Sequence, residues 1–443
     1  MKTIFEILII DFHKKLKEER LPEIVKRDTE ILSLSSKISS VIGVRRSGKT
    51  WLIFQKIIEL LNSGVSEEFI LYLNFEDERL IPLGVEEMNT LIKTYYSLYP
   101  HVIRKKKYFF LDEIQNIQGW EKFLRRIIDN ENVEIYITGS SAKLLSKEIA
   151  TSLRGRSITT EVYPLSFREF LKFRMISPPS PQRLGSEERA LLSHQFLKYM
   201  EIGGFPEIQK YSDFERIKIL QEYMNSIIMR DVLERYNLKN IHLLKIIVKH
   251  AINNPATLFS VNKLFNHLRS IGIRADKNYV YEIINYLEDA FFLFLIKKHS
   301  QSEKVKQINP SKIYLIDHGI VIANSKKPEP DWGRLLENIV FLHLKREFLE
   351  IEYYKDNGFE IDFIIFDPLK KIKTAIQVSY SVENEETFSR ELKGLKEILR
   401  RGIVKRGILL TVDDSEKEIK AGDGKIYILP VWKFLLNSRD FLQ

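Results

Sequence analysis

One octapeptide constrains this 443-residue chain more than any other feature of its sequence. Residues 43–50 read Gly-Val-Arg-Arg-Ser-Gly-Lys-Thr and match the pattern GxxxxGK[ST]. The apolar residues 37–43 before it predict a buried strand, and residues 50–61 after it have the periodicity of an amphipathic helix. This context suits a phosphate-binding loop, because glycines let backbone N–H groups surround the phosphates at the helix N-terminus. The motif predicts a nucleotide site, formed by Gly43, Arg46, Ser47, Gly48, Lys49 and Thr50.

A second motif supplies the acidic half of such a site. Residues 108–113 read Tyr-Phe-Phe-Leu-Asp-Glu, an apolar run that predicts a buried strand with two carboxylates at its end. In a nucleotide site Lys49 would reach the β- and γ-phosphates, and Thr50 would give Mg²⁺ a hydroxyl ligand. Asp112 would support the same Mg²⁺, and Glu113 would position the attacking water. We therefore expect MgATP as the ligand, with Lys49 and Glu113 in catalytic roles.

Two further polar positions follow predicted elements. Ser140 comes after the apolar run 133–138, where it would sense the γ-phosphate or cap a helix over 142–149. Arg154 and Arg156 lie on a short turn, where one of them would act as an arginine finger in a neighbouring subunit. The alternative for both is that they are surface arginines.

The first 175 residues have the alternation of strands and helices that indicates a mostly parallel sheet. Short apolar runs predict strands at 37–43, 69–75, 108–111, 133–138 and 157–165. Amphipathic stretches between them predict helices at 50–61, 86–98 and 120–128. With the phosphate-binding loop after the first strand, the fold class is α/β, with the parallel sheet of a P-loop NTPase.

These motifs resemble a group of AAA-type P-loop ATPases of archaea and bacteria that carry a winged helix and a C-terminal PD-(D/E)xK, or restriction-endonuclease-like, domain. The resemblance covers about residues 20 to 380 and rests on the segments 43–50, 111–115, 137–141, 155–156, 164–170 and 203–206. Of these, Pro-Leu-Ser-Phe-Arg-Glu-Phe at 164–170 and Gly-Gly-Phe-Pro at 203–206 are the most family-specific. The resemblance implies ATP binding and hydrolysis. It also implies that Arg156, rather than Arg154, is the arginine of the family's Gly-Arg pair.

The middle of the chain is basic. Residues 210–330 carry 19 basic and 12 acidic side chains, a net charge of +7 out of +9 for the whole chain. Helices predicted at 260–271 and 277–290, followed by strands at 291–297 and 312–316, have the order of a winged helix. A winged helix of this charge predicts DNA binding, although many bind only protein. The candidate DNA contacts are Arg274, Lys277, Asn278, Tyr279, Lys297 and Lys298, and Lys304 and Lys306 would also lie in or beside the wing.

The last part of the chain has the layout of a PD-(D/E)xK nuclease with one defect. Glu337 lies on a predicted helix and Asp362 opens a predicted strand, so both are candidate ligands of a second metal ion. The third acid is replaced by Gln377, which some members of the family tolerate, but the lysine position holds Ser379. Since serine places no positive charge beside the attacking hydroxide, we expect this domain to be deficient in cleavage. Lys371 or Lys373 would be the nearby substitutes.

Proline-rich segments at 177–181 and 326–330 predict linkers. The expected domains are therefore an AAA-type P-loop ATPase domain over 1–176, a helical lid plus winged helix over 183–325, and a nuclease-like α/β domain over 331–443. Cysteine is absent, which excludes disulfides and thiolate chemistry. The apolar run within 4–10 is too short for a membrane span and lacks a cleavage site, so we expect a cytoplasmic protein.

Three functions fit these features. The first is an ATPase that couples hydrolysis to DNA binding or remodelling, acting as a homo-oligomer because an arginine finger works in a neighbouring subunit. The second is a nucleotide-gated signalling switch that acts on a protein partner. The third is an ATP-regulated, metal-dependent DNA nuclease that uses Glu337 and Asp362. The basic middle segment favours the first function, and Ser379 argues against the third.

Overall fold

The computed structural model describes residues 1–18, 24–80, 83–140, 153, 155–177, 184–356, 358–382, 384–413, 415–422 and 424–442. The chain divides into two compact units, Met1–Val162 and Tyr163–Gln443. They are called the N-terminal unit and the C-terminal unit below. Arg154, the helix expected over 142–149 and the prolines of the first predicted linker lie outside the described residues.

The N-terminal unit contains a five-stranded sheet in the order β2-β3-β4-β1-β5, with every strand parallel to its neighbours. Its strands are β1 Ile38–Ile42, β2 Ile70–Asn74, β3 Lys107–Asp112, β4 Val133–Gly139 and β5 Ser157–Glu161. Its described helices are α1 Lys2–Lys17, α2 Lys49–Asn62, α3 Val85–Leu98 and α4 Trp120–Asn130. Short 3₁₀ segments lie at Glu67–Phe69, Glu78–Leu80, Pro100–Val102 and Ile114–Asn116. The parallel sheet predicted from the sequence is confirmed, whereas α1 was not foreseen.

The inner strand β3 is buried on both faces, as parallel strands covered by helices must be. Phe109, Phe110 and Leu111 of β3 are all buried, and Phe110 stacks on Tyr136 of β4 with ring centroids 4.6 Å apart. Each such side chain contributes roughly 1.5–3 kcal/mol when it leaves water. Because the strands are parallel, the residues that follow β1, β3 and β4 meet at one edge of the sheet.

The C-terminal unit contains a nine-stranded mixed sheet in the order β13-β14-β12-β11-β10-β9-β7-β8-β6. Its strands are β6 Thr257–Phe259, β7 Leu293–Lys298, β8 Ser311–Leu315, β9 Ile351–Asp356, β10 Phe359–Asp367, β11 Ile372–Ser379, β12 Arg406–Thr411, β13 Lys417–Ala421 and β14 Gly424–Pro430. Its first helices are α5 Phe167–Phe173, α6 Ser186–Ile202, α7 Asp213–Ser226 and α8 Ile241–Asn253, with a π-helical segment at Ile227–Glu234 and a 3₁₀ segment at Glu207–Lys210. The others are α9 Val261–Ser270, α10 Lys277–Asp289, α11 Glu303–Ile308, α12 His318–Asn324, α13 Trp332–Glu347, α14 Glu385–Arg400 and α15 Val431–Leu442.

The basic middle of the chain has the arrangement of a winged helix, with α9 and α10 beside the antiparallel strands β6, β8 and β7. Its ribbon is not a free wing, however. Strand β7 pairs in parallel with β9, which places Lys297 opposite Glu352 and Lys298 opposite Tyr353. The connection between β7 and β8 contains α11, where Lys306 forms an ion pair with Glu352 at 2.7 Å. The edge of β7 that would be free in an isolated wing is therefore paired with β9, and the sheet continues through it.

One amide joins helix α13 to strand β8. Asn338 is fully buried, and its Oδ1 accepts a hydrogen bond from the backbone N–H of Leu315 at 2.8 Å. Its Nδ2 donates to the carbonyl of the same residue at 2.9 Å. The side chain pairs with Leu315 much as a neighbouring strand would. It thereby holds Glu337, the preceding residue of α13, beside β8.

The family-specific segment Gly203-Gly204-Phe205-Pro206 forms a close backbone contact. Gly203 has φ +94°, and a Cβ atom there would lie 2.7 Å from Oδ1 of Asp317. The N–H of Gly204 donates to Oδ2 of the buried Asp317 at 2.7 Å. The carbonyl of Gly204 in turn accepts from Leu165, in the other family-specific segment. Both segments therefore have a packing role within the C-terminal unit. Among the described helices, none has the length and apolarity needed to cross a membrane.

Candidate functional site

The loop at 43–50 joins β1 to α2 and depends on two glycines. Gly43 has φ +152°, and a Cβ atom there would lie 2.1 Å from the carbonyl oxygen of Val162. Gly48 has φ +97° and is the N-cap residue of α2. A side chain at either position would be strained. The chain thus turns sharply enough to point the first N–H groups of α2 into the loop, where they favour an anion.

The loop also presents polar groups that suit a phosphate. Lys49 is 5% exposed, and its Nζ donates to the carbonyls of Gly43 at 3.2 Å and Val44 at 3.3 Å. The buried Oγ of Ser47 has no hydrogen-bond partner among the described residues. Arg46 is exposed and adopts φ +68°. An ammonium and an unpartnered hydroxyl in a glycine-lined loop fit the phosphates of a nucleotide.

Asp112 lies at the end of β3, where three hydroxyl groups surround its carboxylate. Oδ2 accepts from Thr50 at 2.9 Å and from Tyr72 at 3.1 Å, and Oδ1 accepts from Thr138. Burial raises the pKa of Asp112, although the hydrogen bonds from Thr138 and Thr50 oppose the shift. Thr50 and Asp112, the two predicted Mg²⁺ ligands, are therefore in direct contact. Tyr72 and Thr138 were not predicted as site residues, although Thr138 lies in one of the motifs.

Glu113 is the second carboxylate at this edge. Its backbone adopts φ +53°, a left-handed conformation that is uncommon for glutamate. The N–H of Glu113 donates to the hydroxyl of Thr138 at 2.8 Å, and its Oε2 accepts from Gln115 at 2.5 Å. Its Oε1 lies 3.6 Å from Nζ of Lys49. The strained turn thus directs the carboxylate towards the loop lysine.

Ser140 and Arg156 lie in different places relative to the loop. Ser140 is buried directly after β4, next to the ends of β1 and β3. Arg156 precedes β5 and donates to Asp129 at 2.5 Å. Because β1 pairs with β5 in parallel from Ile38 onwards, Arg156 is at the opposite edge of the sheet. Five residues of strand separate the two edges, about 16 Å, so Arg156 does not reach the loop of its own chain.

Sequence reasoning also missed Arg27. This side chain is 4% exposed, and its guanidinium donates to the carbonyl of Ser47 at 2.8 Å. Its backbone N–H donates to Oε1 of Gln55 on α2 at 2.9 Å. Arg27 therefore braces the loop from outside. No local pattern around residue 27 distinguishes this arginine from a surface one.

The two predicted acids of the C-terminal domain come together, but with an unexpected partner. Nζ of Lys312 lies 2.9 Å from Oε1 of Glu337, 2.9 Å from Oε1 of Glu360 and 2.9 Å from Oδ1 of Asp362. Tyr314 also donates to Glu337 at 2.6 Å. These four residues, Lys312, Glu337, Glu360 and Asp362, are called the lysine–carboxylate cluster. Sequence reasoning sought a lysine near Ser379 and missed Lys312, which lies far away in the chain.

Burial sets the protonation of this cluster. It raises the pKa of Glu337 to about 8, with the neighbouring Asp362 acting in the same direction. Burial would lower the pKa of Lys312, but the facing carboxylates raise it well above its usual value. Lys312 is therefore charged at neutral pH. Among the described residues, no group of three or more histidine, aspartate or glutamate side chains is arranged to hold a metal ion.

The other nuclease positions face elsewhere. Gln377 accepts from the N–H of Asp362 at 3.2 Å and donates to Glu391 at 2.8 Å. The hydroxyl of Ser379 donates to the carbonyl of Ser381 at 2.9 Å. Lys373 pairs with Phe366, four residues along β10 from Asp362 and thus about 13 Å away. Lys371 precedes β11, beyond the pair of Asp367 with Ile372, and is therefore farther still from Asp362. The expectation that Lys371 or Lys373 would supply the missing charge is wrong.

The candidate DNA contacts divide into two groups. Arg274, Lys277 and Asn278 are exposed at the start of α10. Asp276 caps that helix, accepting from the N–H groups of Asn278 at 2.8 Å and the half-buried Tyr279 at 3.1 Å. The N–H groups at the start of α10 are therefore already bound by the Asp276 carboxylate. A phosphate could be bound there only by the cationic side chains Arg274 and Lys277. In the second group, Lys297 is exposed and Lys298 half-buried, at the junction of β7 with β9.

Comparison with known proteins identifies the N-terminal unit. The family model described as an AAA domain matches residues 35–171. Two models of domains of unknown function, DUF8612 and DUF4143, match residues 193–331 and 332–434. The uncharacterized protein MJ1544 of Methanocaldococcus jannaschii is 39% identical to this chain, over 98% of the chain and 96% of its own length. An uncharacterized protein of Haemophilus influenzae is 30% identical, over 87% of the chain and 93% of its own length.

Among solved structures, the Walker-type ATPase PABY2304 of Pyrococcus abyssi is similar with a TM-score of 0.40 and 16% identity. The match covers 70% of this chain and 94% of that one. The ORC1 protein of Aeropyrum pernix, solved in complex with DNA, is similar with a TM-score of 0.28 and 14% identity, over 66% of this chain and 87% of that one.

The burial of Asp112 makes stability depend on pH. Because its pKa is raised above the ordinary 3.8, the folded state binds the proton more tightly than the unfolded chain does. The stability that this proton contributes to the folded state is fully present below the ordinary pKa and is lost as the pH rises through the raised pKa. We expect Asp112→Asn, without nucleotide or Mg²⁺, to raise Tm by several degrees at about pH 8 and by much less at about pH 4. Differential scanning calorimetry would check this, with the exposed Asp11→Asn as control. A lower Tm for Asp112→Asn at the higher pH would contradict it.

Proposed function

The chain belongs to the same family as the uncharacterized protein MJ1544 of Methanocaldococcus jannaschii, and its residues 35–171 match the AAA domain model. On that premise we propose that it is a cytoplasmic, homo-oligomeric ATPase that binds and hydrolyses MgATP. One observation carries the proposal. The described edge of the parallel sheet brings together a phosphate-binding loop, a hydroxyl–carboxylate pair and a second carboxylate within reach of the loop lysine. Phosphoryl transfer needs positioned charges of this kind more than covalent chemistry.

Each residue of the site has a separate role in nucleotide binding or hydrolysis. The loop N–H groups and Lys49 bind the phosphates, and the hydroxyl of Ser47 donates to them or to the loop. Thr50 and Asp112 would hold Mg²⁺, which neutralises phosphate charge when bound. Glu113 orients the attacking water and accepts its proton, with the carboxylate held by Gln115. Ser140, buried beside the same edge, senses the γ-phosphate.

Arg156 acts from a neighbouring subunit. Its position at the opposite sheet edge supports this assignment, since it leaves no role at the loop of the same chain. Its present partner Asp129 is exposed, so this ion pair is weak enough to be exchanged for a phosphate. In the proposed assembly each subunit completes the site of the next subunit.

We propose further that DNA binds along α9 and α10. The observation that favours DNA is the set of exposed cations on these two helices and the turn between them, Lys263, Arg269, Arg274 and Lys277. Such side chains bind phosphates without reading sequence. Hydrolysis would then be coupled to DNA binding or remodelling. A nucleotide-gated switch that acts on a protein partner predicts instead that ATP turnover ignores DNA.

The third function, a metal-dependent nuclease, is disfavoured. Gln377 and Ser379 provide neither the third acid nor the lysine, and both side chains are engaged elsewhere. The division into an ATPase domain over 1–176, a lid plus winged helix over 183–325 and a nuclease-like domain over 331–443 remains part of this proposal.

Two substitutions separate binding from hydrolysis. Lys49→Ala should abolish ATP binding, because the loop loses its charge. Glu113→Gln should keep ATP binding and lower kcat about 10²-fold or more, because the water loses its base. Fluorescent nucleotide titration and phosphate release measure the two effects. Glu86→Gln, an exposed glutamate on α3, serves as the matched control. Hydrolysis by Glu113→Gln at the wild-type rate would refute the role of Glu113.

Mixing variants tests the finger in trans. Lys49→Ala and Arg156→Ala should each be inactive alone. If Arg156 completes a neighbour's site, the mixture should regain part of the wild-type ATPase activity, because mixed assemblies contain some intact sites. Glu113→Gln with ATP should also favour the oligomer, as measured by light scattering. A mixture that stays inactive, together with a monomeric Glu113→Gln protein in MgATP, would refute an arginine finger in trans.

Charge removal on α10 tests the DNA surface. We expect the double variant Arg274→Ala/Lys277→Ala to weaken duplex binding and to reduce the slope of log affinity against log salt by about 2, one for each lost phosphate contact. Fluorescence anisotropy at several salt concentrations would measure this. The control is Lys326→Ala/Lys327→Ala, which removes the same charge from an exposed loop between α12 and α13. Equal effects of the two double variants would show that α10 is not a specific contact surface.

A further inference from the structure

The ammonium of Lys312 stands at the point that all three carboxylates of the lysine–carboxylate cluster share. Its distances to Glu337, Glu360 and Asp362 are equal at 2.9 Å. A lysine has three N–H donors, so each is used by one carboxylate. No donor of Lys312 is left over to orient or activate a water molecule. Lys312 therefore cannot act as the mobile catalytic lysine of a nuclease, whose position in the motif is held by Ser379.

The size of the cluster matches an ammonium better than a divalent ion. Charged N–H···O hydrogen bonds are about 2.7–2.9 Å long, whereas Mg²⁺ holds oxygen ligands at about 2.0–2.1 Å. The carboxylates here would have to close by roughly 0.8 Å around Mg²⁺, and the lysine would have to leave.

We propose that Lys312 is a resident cation that takes the place of a divalent metal between Glu337 and Asp362. The acids that the sequence assigned to a metal ion bind strand β8 of the winged helix instead. The cluster is therefore a permanent link between helix α13, strand β10 and strand β8. It makes this part of the chain independent of metal and unable to cleave nucleic acid by a metal-dependent route.

Strand pairing keeps the lysine in place. Lys312 pairs with Leu258 of β6 on one side and with Ile296 of β7 on the other, so β8 is bounded by a strand on each edge. Its side chain is 4% exposed. The amide of Asn338 ties the neighbouring Leu315 to α13. Withdrawing the strand would break both ladders, so the link does not work as a switch.

The charge of the surrounding residues agrees with a monovalent cation. Gln377, at the third acid position, is neutral and donates to Glu391 instead of facing the cluster as a carboxylate. Lys355 adds a second positive charge at the rim, 2.8 Å from Glu360. A divalent ion in addition to these two lysines would place four positive charges beside at most three negative ones.

The test is the uptake of Mn²⁺, with the metal alone as probe and no nucleotide. Every protein carries Asp112→Asn, so that the loop site contributes no metal. Binding is measured by the loss of the free Mn²⁺ electron paramagnetic resonance signal, and Tm is recorded in parallel. The protein with Lys312 should take up no Mn²⁺ at this cluster. Lys312→Ala should take up one Mn²⁺, with a rise in Tm, and adding Asp362→Asn should abolish both effects.

Lys355→Ala is the matched control, because it removes a lysine that contacts the same cluster from the rim. It should create no Mn²⁺ site. A Lys312→Ala protein that folds only with Mn²⁺ would also support the proposal. If this variant does not fold with or without Mn²⁺, Lys312→Ala/Glu360→Gln replaces it, since one buried charge fewer is left unpaired.

Two results would overturn the proposal. The first is one Mn²⁺ bound by the protein that retains Lys312 and lost on Asp362→Asn, which would mean that lysine and metal occupy the cluster together. The second is a folded Lys312→Ala protein, or a folded double variant, that takes up no Mn²⁺. Either result concerns the cluster alone, and the proposed ATPase function would be unaffected by it.

Discussion

Burying a carboxylate costs several kcal/mol unless donors or cations surround it, and both units of this chain are built around carboxylates that meet this condition. Asp112 has three hydroxyl groups around it in the N-terminal unit. Asp317 accepts the backbone N–H groups of Gly204 and Ile320 in the C-terminal unit. The positions of strands, turns and helices near each carboxylate follow from the need to supply those donors.

Asp112 and the lysine–carboxylate cluster are stabilised by different kinds of donor. The donors to Asp112 are hydroxyls, which can turn away or act as ligands themselves, so the group remains able to accept a metal ion. The donor to Glu337, Glu360 and Asp362 is an ammonium whose three N–H groups are all used. The first arrangement suits a site that binds and releases MgATP. The second suits a fixed link between strand β8 and the following elements α13 and β10.

The lysine–carboxylate cluster also affects how the net charge of residues 210–330 is interpreted. The excess of +7 in residues 210–330 predicted a surface for phosphates. Part of it is paired within the chain, because the buried Lys312 and the half-buried Lys306 form ion pairs with carboxylates of the following segment. Lys297 and Lys298 lie where β7 joins β9. The cations that remain exposed on α9 and α10 form a smaller surface than the composition indicates, and the proposed DNA contact is confined to it.

The sequence by itself determined the N-terminal fold and most of the candidate nucleotide site. A phosphate-binding loop needs a strand, two glycines and a helix within a few residues, and parallel strands bring Asp112, Glu113 and Ser140 to the same edge wherever the loops run. It also located Glu337 and Asp362. Only the tertiary structure decided what those acids bind, since Lys312 is 25 residues from one and 50 from the other. Contacts across such separations leave no periodicity in the sequence, because they depend on how β7, β8 and β9 pair. That pairing placed Lys312 between the acids.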